Sequence, residues 1–572
     1  MTPNLPQRLA MTLLGGLAGL AFYWLGVVVE DGWLAERLVL ALAVFAGTFF
    51  GGALALAGRV ALPRAAAMAT GLAVLVAGLV SFAALRFDPV TEISNAPLIL
   101  IAGVVLSLVP LPFLIGAAGP GWRDYPTLFT ESWGLFVRLS FAWIFVGVVW
   151  ALILLSGALF DLVGLPLIED LLAIEVAPWL ITGVVFGLAL AVVNELSDFV
   201  SPFLILRLLR LLLPLVLVVL VVFLMALPFR GLTGLFGGMS SAATLLAMVA
   251  TAVTLISAAV DQTDDEAVPP GLMAGATRAL ALILPLPAGL AVWALALRVA
   301  QYGWTPERVF GAAMAALAMA YALNYAVSAL RAPWRRAIRF VNRANAIAVI
   351  ALAALWLTPV LNAERIATNS QMARFAASGD PAVLDLWALA QWGTSGAAAR
   401  AELVVLAASP GQQALADVLA GNQVASVADT AHLGDALKAV MPLQPATSLA
   451  QRDAIFAAAD NYTLQGWLDA CTVAMPEGGP GCVMVVADFL PSQPGDEALV
   501  AHYNSAGYVT YAGLSLNGNL LQMGRILPGI GDLPEGVDGQ AAIRALQSVP
   551  PVLVPVPLNM LMIGETGLML VP

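Results

Sequence analysis

Eleven apolar stretches, each long enough to cross a bilayer, follow one another between residues 9 and 361. A spanning helix needs about 20 mostly apolar residues. Inside lipid, only helices and closed barrels satisfy every backbone N–H and C=O group. The stretches lie near residues 9–29, 37–58, 65–85, 97–117, 135–157, 176–194, 205–227, 238–260, 278–299, 308–330 and 344–361. They are too long for strands, so they predict an all-α polytopic bundle. Composition agrees, with 61% hydrophobic and 11% charged residues, where soluble domains carry about 25% charged residues. The first stretch has no small-residue cleavage site before Glu30 and reads as a retained helix.

The segment from Arg331 to Arg365 marks where this pattern ends. It holds five arginines in thirteen residues (Arg331, Arg335, Arg336, Arg339, Arg343), then an apolar run to Leu361, then Asn362, Glu364 and Arg365. Up to Leu361 the chain has 18 acidic and 18 basic residues; beyond it, 18 acidic and 7 basic residues carry the whole net charge of −11. The sequence therefore predicts a polytopic membrane domain over 1–361, a helical soluble part over 362–470 and a mostly β part over 471–572. Together they make a membrane all-α bundle followed by a soluble α+β domain. The acidic soluble part argues against a nucleic-acid or anionic-lipid partner for it and reads as a solubility device.

Short cytoplasmic loops collect Arg and Lys. Arg8, Arg59, Arg64, Arg123, Arg138, Arg207, Arg210 and the 331–343 cluster all fall on one side if the N-terminus is cytoplasmic. Eleven spans then carry the C-terminal region to the opposite side, the periplasm of a Gram-negative cell. The loop with Asp261, Asp264, Asp265 and Glu266 is the exception, with only Arg278 to offset it. Between Pro110 and Trp133, prolines and glycines interrupt the apolar pattern and predict a cytoplasmic loop with a short surface helix, a re-entrant segment being the alternative.

In the soluble part, Leu384, Trp387, Leu389 and Trp392, and further on Leu403, Leu406, Leu415 and Leu419, have helical spacing. Runs at 483–486, 508–516, 520–526 and 552–556 read as strands. Leu516-Asn517-Gly518-Asn519 predicts a hairpin, because an Asn-Gly pair readily takes positive φ.

The most motif-like run in the membrane half is Tyr302-Gly303-Trp304-Thr305-Pro306-Glu307-Arg308. It spells a helix start: Thr305 caps exposed N–H groups, Pro306 suits the first helical position, and Glu307 complements the positive dipole end. With Asn362, Glu364, Arg365, Ser370, Gln371 and Arg374 after the last span, it resembles a bacterial family of multi-pass membrane proteins of unknown function. That resemblance implies a bacterial envelope location and supplies no reaction or cofactor. Both motifs fall on the external side, which predicts a contact between membrane and soluble parts through Tyr302, Trp304, Thr305, Glu307, Arg308, Asn362, Glu364 and Arg365, with acidic and basic residues pairing.

Polar residues within the spans are few. Asn194, Glu195 and Asp198 share a helix face and, with Asn324, are the candidates for a polar path. Tyr321, Asn324, Tyr325 and Ser328 form a stripe that interhelical hydrogen bonding explains. Cys471 and Cys482, the only cysteines, are expected to form a disulfide in an oxidising compartment. A zinc site joining them to His432 and His502 lacks a close-spaced ligand pair. There is no nucleophile elbow, no phosphate-cradling glycine loop with lysine and no metalloprotease helix motif. The single lysine, Lys438, makes Schiff-base chemistry improbable. No cofactor or metal is expected. The sequence favours a non-enzymatic membrane protein that presents a periplasmic module for binding or envelope support, partnered by the lipid bilayer and by envelope proteins. The alternative is a transporter or channel for a small solute, using Asn194 to Asp198 and the helix broken at Pro285 and Pro287; a membrane-embedded enzyme comes third.

Overall fold

The computed structural model describes residues 5–30, 32–195, 202–230, 241–459, 461–473, 475, 478–491, 495–503, 509–517, 520–530, 534, 536–548, 552–555, 559–563 and 566–571. Among them eleven helices are long and apolar enough to cross a membrane: Leu5–Val29, Glu36–Leu56, Leu62–Ala84, Pro97–Ala118, Tyr125–Asp161, Val176–Glu195, Phe203–Phe229, Ser241–Val260, Leu272–Tyr302, Pro306–Leu330 and Trp334–Trp356. These are the first to eleventh spans of a multi-pass membrane protein. Prolines at the first or second positions open several helices (Pro97, Pro126, Pro285, Pro306), where a missing N–H costs nothing.

Two spans, the fifth and the eleventh, differ from the sequence expectation, and the ninth breaks where its prolines predict. The region 110–133 contains no surface helix: Leu111–Ala118 continues the fourth span after a bend at Pro110, and the fifth span already starts at Tyr125. That helix runs to Asp161, 37 residues, or about 55 Å at 1.5 Å per residue. Its first turns are polar, and Asp124 caps them by accepting from the backbone N–H of Thr127 at 3.1 Å. The eleventh span starts at Trp334, so four of the five clustered arginines stand on helix rather than in a loop. The ninth is two helices, Leu272–Ile283 and Pro285–Tyr302, joined at Leu284, which is itself fully buried.

Close approach of the first and sixth spans rests on glycine. Gly15 and Gly19 face Gly183 and Gly187, and a Cβ at any of the four would run into backbone of the opposite helix. In lipid, where apolar burial gives no drive for helices to associate, small residues that let backbones meet supply the packing.

The chain divides into two compact units, Met1–Leu406 and Ala407–Pro572. The first includes three α-helices beyond the last span, Ala363–Ser378, Leu386–Gln391 and all but the last residue of Gly393–Ala407. The second unit is α+β. Its strands are β1 (Leu443–Gln444), β2 (Cys482–Ala487), β3 (Glu497–Tyr503), β4 (Val509–Asn517), β5 (Leu520–Ile530), β6 (Val552–Pro555), β7 (Asn559–Ile563) and β8 (Thr566–Val571), in one sheet of order β1-β2-β3-β4-β5-β8-β7-β6. β1 and β2 are parallel and the other neighbours antiparallel.

Both faces of the central strands are covered. Met484, Val486, Ala498, Val500 and Leu514 pack on Leu437, Ile455, Phe456, Leu464 and Trp467. Val483, Val485, Leu499 and Ala501 pack on Ile543 and Leu546 of helix Gly536–Ser548. Burial on two faces explains why 483–486 is a continuous apolar run instead of an alternation. β4 and β5 form the expected hairpin, with Asn517 opposite Leu520; residues 518 and 519 lie outside the described residues. Cys471 and Cys482 are joined by a disulfide that ties helix Asn461–Thr472 to β2.

Two titratable groups are enclosed in this unit. Glu497 is 3% exposed and accepts from the N–H groups of Phe489 and Leu490, both at 2.9 Å. Burial raises its pKa, against the pull of those hydrogen bonds. On the same strand, burial holds His502 below its ordinary 6.5, and among the described residues its Nδ1 has no hydrogen-bond partner. The unfolded chain therefore binds a proton that the folded unit resists. The His502 contribution to stability is complete above about pH 6.5 and is lost as pH falls towards the folded value. Glu497 acts in the opposite sense, its contribution fading as pH rises through its folded value. The temperature at which residues 407–572 of the intact protein become protease-sensitive is expected to fall from about pH 7.5 to about pH 5, the range in which a histidine charges. His502→Gln should flatten that fall; parallel curves for the two proteins would assign the acid sensitivity elsewhere.

Candidate functional site

Arg86, two residues beyond the third span, is the point where three parts of the first unit are fastened together. It is 8% exposed. Its Nη2 donates to the carbonyls of Trp356 and Thr358, each at 2.8 Å, and its Nη1 to Glu364 Oε2 at 3.2 Å. Its own carbonyl accepts from the N–H of Thr394 at 2.8 Å. Gly393 sits against that carbonyl with φ +55, leaving no room for a side chain. The end of the eleventh span, helix Ala363–Ser378 and the start of helix Gly393–Ala407 thus converge on one residue. Burial lowers the Arg86 pKa from the usual guanidinium value, and the Glu364 carboxylate opposes that shift. A buried ion pair of this kind holds only because further acceptors satisfy the remaining N–H groups.

A second seam lies along the same helix. Ala363, Glu364, Ala367, Thr368, Gln371 and Phe375 form its buried face. Trp304 N–H donates to Ser370 Oγ at 3.0 Å, and Gln371 Nε2 donates to the carbonyls of Tyr302 and Trp304, each at 3.2 Å. Arg374 reaches the Gln301 carbonyl at 3.0 Å, and Arg308 the Gly303 carbonyl at 2.7 Å. Gly303 has φ +75, and a Cβ there would strike Arg374. Two helix starts are capped locally: Thr305 Oγ1 accepts from Arg308 N–H at 3.4 Å and Asn362 Oδ1 from Arg365 N–H at 2.9 Å. Arg365 donates to the Pro359 carbonyl at 2.6 Å.

These contacts bring Tyr302, Gly303 and Trp304 against Ser370, Gln371 and Arg374, mostly through backbone. The acidic–basic pairing expected between the motifs is not what joins them. Among the described residues Glu307 forms no ion pair, and Glu364 pairs with Arg86 from a different span. Glu307 stands at an exposed helix start, where the dipole already stabilises it.

Two polar networks occupy the opposite ends of the spans. In the first, Arg8 pairs with Glu195, and Arg138 donates to Asn194 Oδ1 and to Glu131, each at 3.1 Å. Arg59 lies 3.3 Å from Glu131, and Asn194 Nδ2 donates to the Ala57 carbonyl at 3.2 Å. Asn194 and Glu195 are therefore both engaged, and Asp198 lies outside the described residues. Asn324 belongs elsewhere, in a cavity between the tenth and eleventh spans.

In the second network Arg210 donates to the carbonyls of Ala258 and Glu266, each at 2.9 Å, and pairs with Asp261. Arg339 donates to the carbonyls of Val260 and Asp261 at 2.8 and 3.0 Å and to Asp264 at 2.8 Å. Asp261 is fully buried and has φ +51; burial raises its pKa, while the Gln262 N–H and Arg210 hold it down. Beside this, Asn342 joins Tyr125, Ser257 and Tyr325. The common chemistry is guanidinium on the exposed carbonyls that end helices, where the macrodipole is negative. Arginines that sidedness alone would explain thus also cap the eighth span and, through Arg278 on the Ala329 carbonyl at 2.6 Å, the tenth.

Sequence reasoning did not single out Arg86 or the four glycines. The Gly15-x3-Gly19 and Gly183-x3-Gly187 spacings are legible signals for close helix crossing. Arg86 carries no local signal.

A family model described as a domain of unknown function (DUF4153) matches residues 18–403. The chain belongs to that family. The match takes in the Arg86 seam and nearly all of the two networks, and ends close to the division at Leu406. No curated protein and no solved structure matches the chain.

Proposed function

We propose that this DUF4153 chain is a bacterial inner-membrane protein with a cytoplasmic N-terminus, presenting the unit that begins at Ala407 to the periplasm as a module for binding or envelope support. The observation that carries the reading is the use of the ionic side chains. Arg86, Arg138, Arg210 and Arg339 each bond a carboxylate and at least one backbone carbonyl. A bundle whose charges fasten helix ends to one another is built to hold its shape. A transport path through Asn194 would require Arg138 to release it, and that bond connects the fifth and sixth spans. The arginines gathered at one set of helix ends favour the cytoplasm for that face, and the Cys471–Cys482 disulfide fits an oxidising compartment for the C-terminal unit.

The test has two arms. A C-terminal fusion to a phosphatase that matures only outside the cytosol is expected to be active, and the same fusion to a cytosol-dependent fluorescent protein dark. The purified chain in sealed proteoliposomes is expected to leave ion and small-solute gradients intact. The reverse fusion pattern would overturn the topology, and gradient collapse would move the assignment to transport.

A further inference from the structure

We propose that the groove between the tenth and eleventh spans is a binding site for one anionic phospholipid, its phosphate held by Arg331 and Arg336. The groove encloses a cavity of about 390 Å³ lined by Asn324, Val327, Ser328, Arg331, Arg336 and Phe340 among others, and no acidic residue contributes to the lining. The five clustered arginines divide into two groups. Arg335 donates to the Val268 carbonyl at 2.5 Å, Arg339 is bound as described above, and Arg343 donates to the Arg123 carbonyl at 2.6 Å. Among the described residues the side chains of Arg331 and Arg336 form neither hydrogen bond nor ion pair, and both residues are exposed. Two guanidinium groups without protein partners therefore face one cavity at the end of two spans.

The rest of the groove selects a lipid over a free anion. Asn324 is exposed on the tenth span, seven residues before Arg331, or about 10 Å deeper towards the hydrocarbon. An amide at that depth needs an acceptor, and among the described residues its side chain has none. The glycerol-ester carbonyls of a phospholipid, which lie on the hydrocarbon side of its phosphate, are acceptors of that kind. Leu323, Val327, Leu330 and Phe340 are 51%, 45%, 71% and 61% exposed, an apolar flank suited to acyl chains. The headgroup must be anionic, because the ammonium of a zwitterionic lipid would meet two arginines and no carboxylate. Such pairing of basic groups and apolar walls at an interface is the chemistry of headgroup recognition. The inference rests on membrane insertion alone and holds whichever side the arginines face.

The test uses the intact chain in mild detergent, exposed to phosphatidylglycerol or phosphatidylcholine of identical acyl chains, with retained lipid counted by native mass spectrometry. The wild type is expected to keep one phosphatidylglycerol in preference to phosphatidylcholine. Arg331→Gln with Arg336→Gln should reduce that preference roughly thirtyfold, since each basic residue near a membrane surface contributes about 1 kcal/mol towards anionic lipid. Neither side chain bonds to the fold, so the thermal midpoint should stay unchanged. Asn324→Leu should weaken retention of both lipids, and Arg298→Gln, at the other end of the bundle, should alter neither. Equal retention of the two headgroups by the wild type, or an unchanged preference in the double variant, would overturn the site. Displacement of the bound lipid by inorganic phosphate at the same concentration would overturn the lipid assignment in favour of a free anion.

Discussion

Arg86→Ala is expected to destabilise the membrane unit by about 3–5 kcal/mol, the cost of leaving the partner of a buried ion pair uncompensated. The substitution strands the Glu364 carboxylate, which is 4% exposed, and removes donors from the Trp356 and Thr358 carbonyls. Thermal unfolding in detergent should show the loss as a lowered midpoint. Tryptic cleavage at Arg365 and Arg374 should accelerate as helix Ala363–Ser378 leaves its seat. Arg86→Met combined with Glu364→Leu removes both charges and should recover much of the loss, because two apolar groups of similar size carry no desolvation penalty. If Arg86→Ala unfolds like the wild type, the three chain segments are not held at this residue.

Gly183→Leu should be the most disruptive single change in the first six spans. Its Cβ would overlap the Gly15 carbonyl, and backbone cannot yield as a side-chain tip can. Overpacking in a core costs typically about 1–3 kcal/mol, and here the whole helix pair must part, carrying Met11, Leu54 and Ala189 with it. We expect loss of folded protein after extraction, read as aggregation on size-exclusion chromatography. Gly71→Ala and Gly78→Ala, in helix positions with open space around the new methyl, serve as controls. They should be neutral or stabilising by about 0.5–1 kcal/mol, the entropic cost of glycine in a helix. A monodisperse Gly183→Leu protein of normal stability would mean that the first and sixth spans do not cross there.

The spans were legible because lipid imposes length and apolarity together, and few other sequences satisfy both. Where the structure departs, the polar turn is helical. Tyr125 to Arg138 and Trp334 to Arg343 carry enough charge to resemble loops, yet their backbones are helical because their side chains find carbonyls and carboxylates on neighbouring helices. β3 went unrecognised because Glu497-Ala-Leu-Val-Ala-His-Tyr mixes helix-forming residues with strand formers; its pairing with β2 and β4 decides it. The seam along helix Ala363–Ser378 was legible at its ends, since Thr305 and Asn362 announce helix starts through local spacing. Its centre was not. Arg86 lies between Leu85 and Phe87 with its carboxylate partner 278 positions away, a relation that no window of sequence contains.

The 37-residue fifth helix exceeds the thickness of a bilayer's hydrocarbon layer, about 30 Å, by nearly half its length. Its protruding segment bears Glu131 and Arg138 on one flank and Tyr125 and Thr130 on another, bonded to Arg59 and Asn194 on one side and to Asn342 and Gln262 on the other. A continuous rod cannot tilt at one flank alone. Gln262 and Arg59 therefore stand on one footing, and the two polar clusters share a single axle.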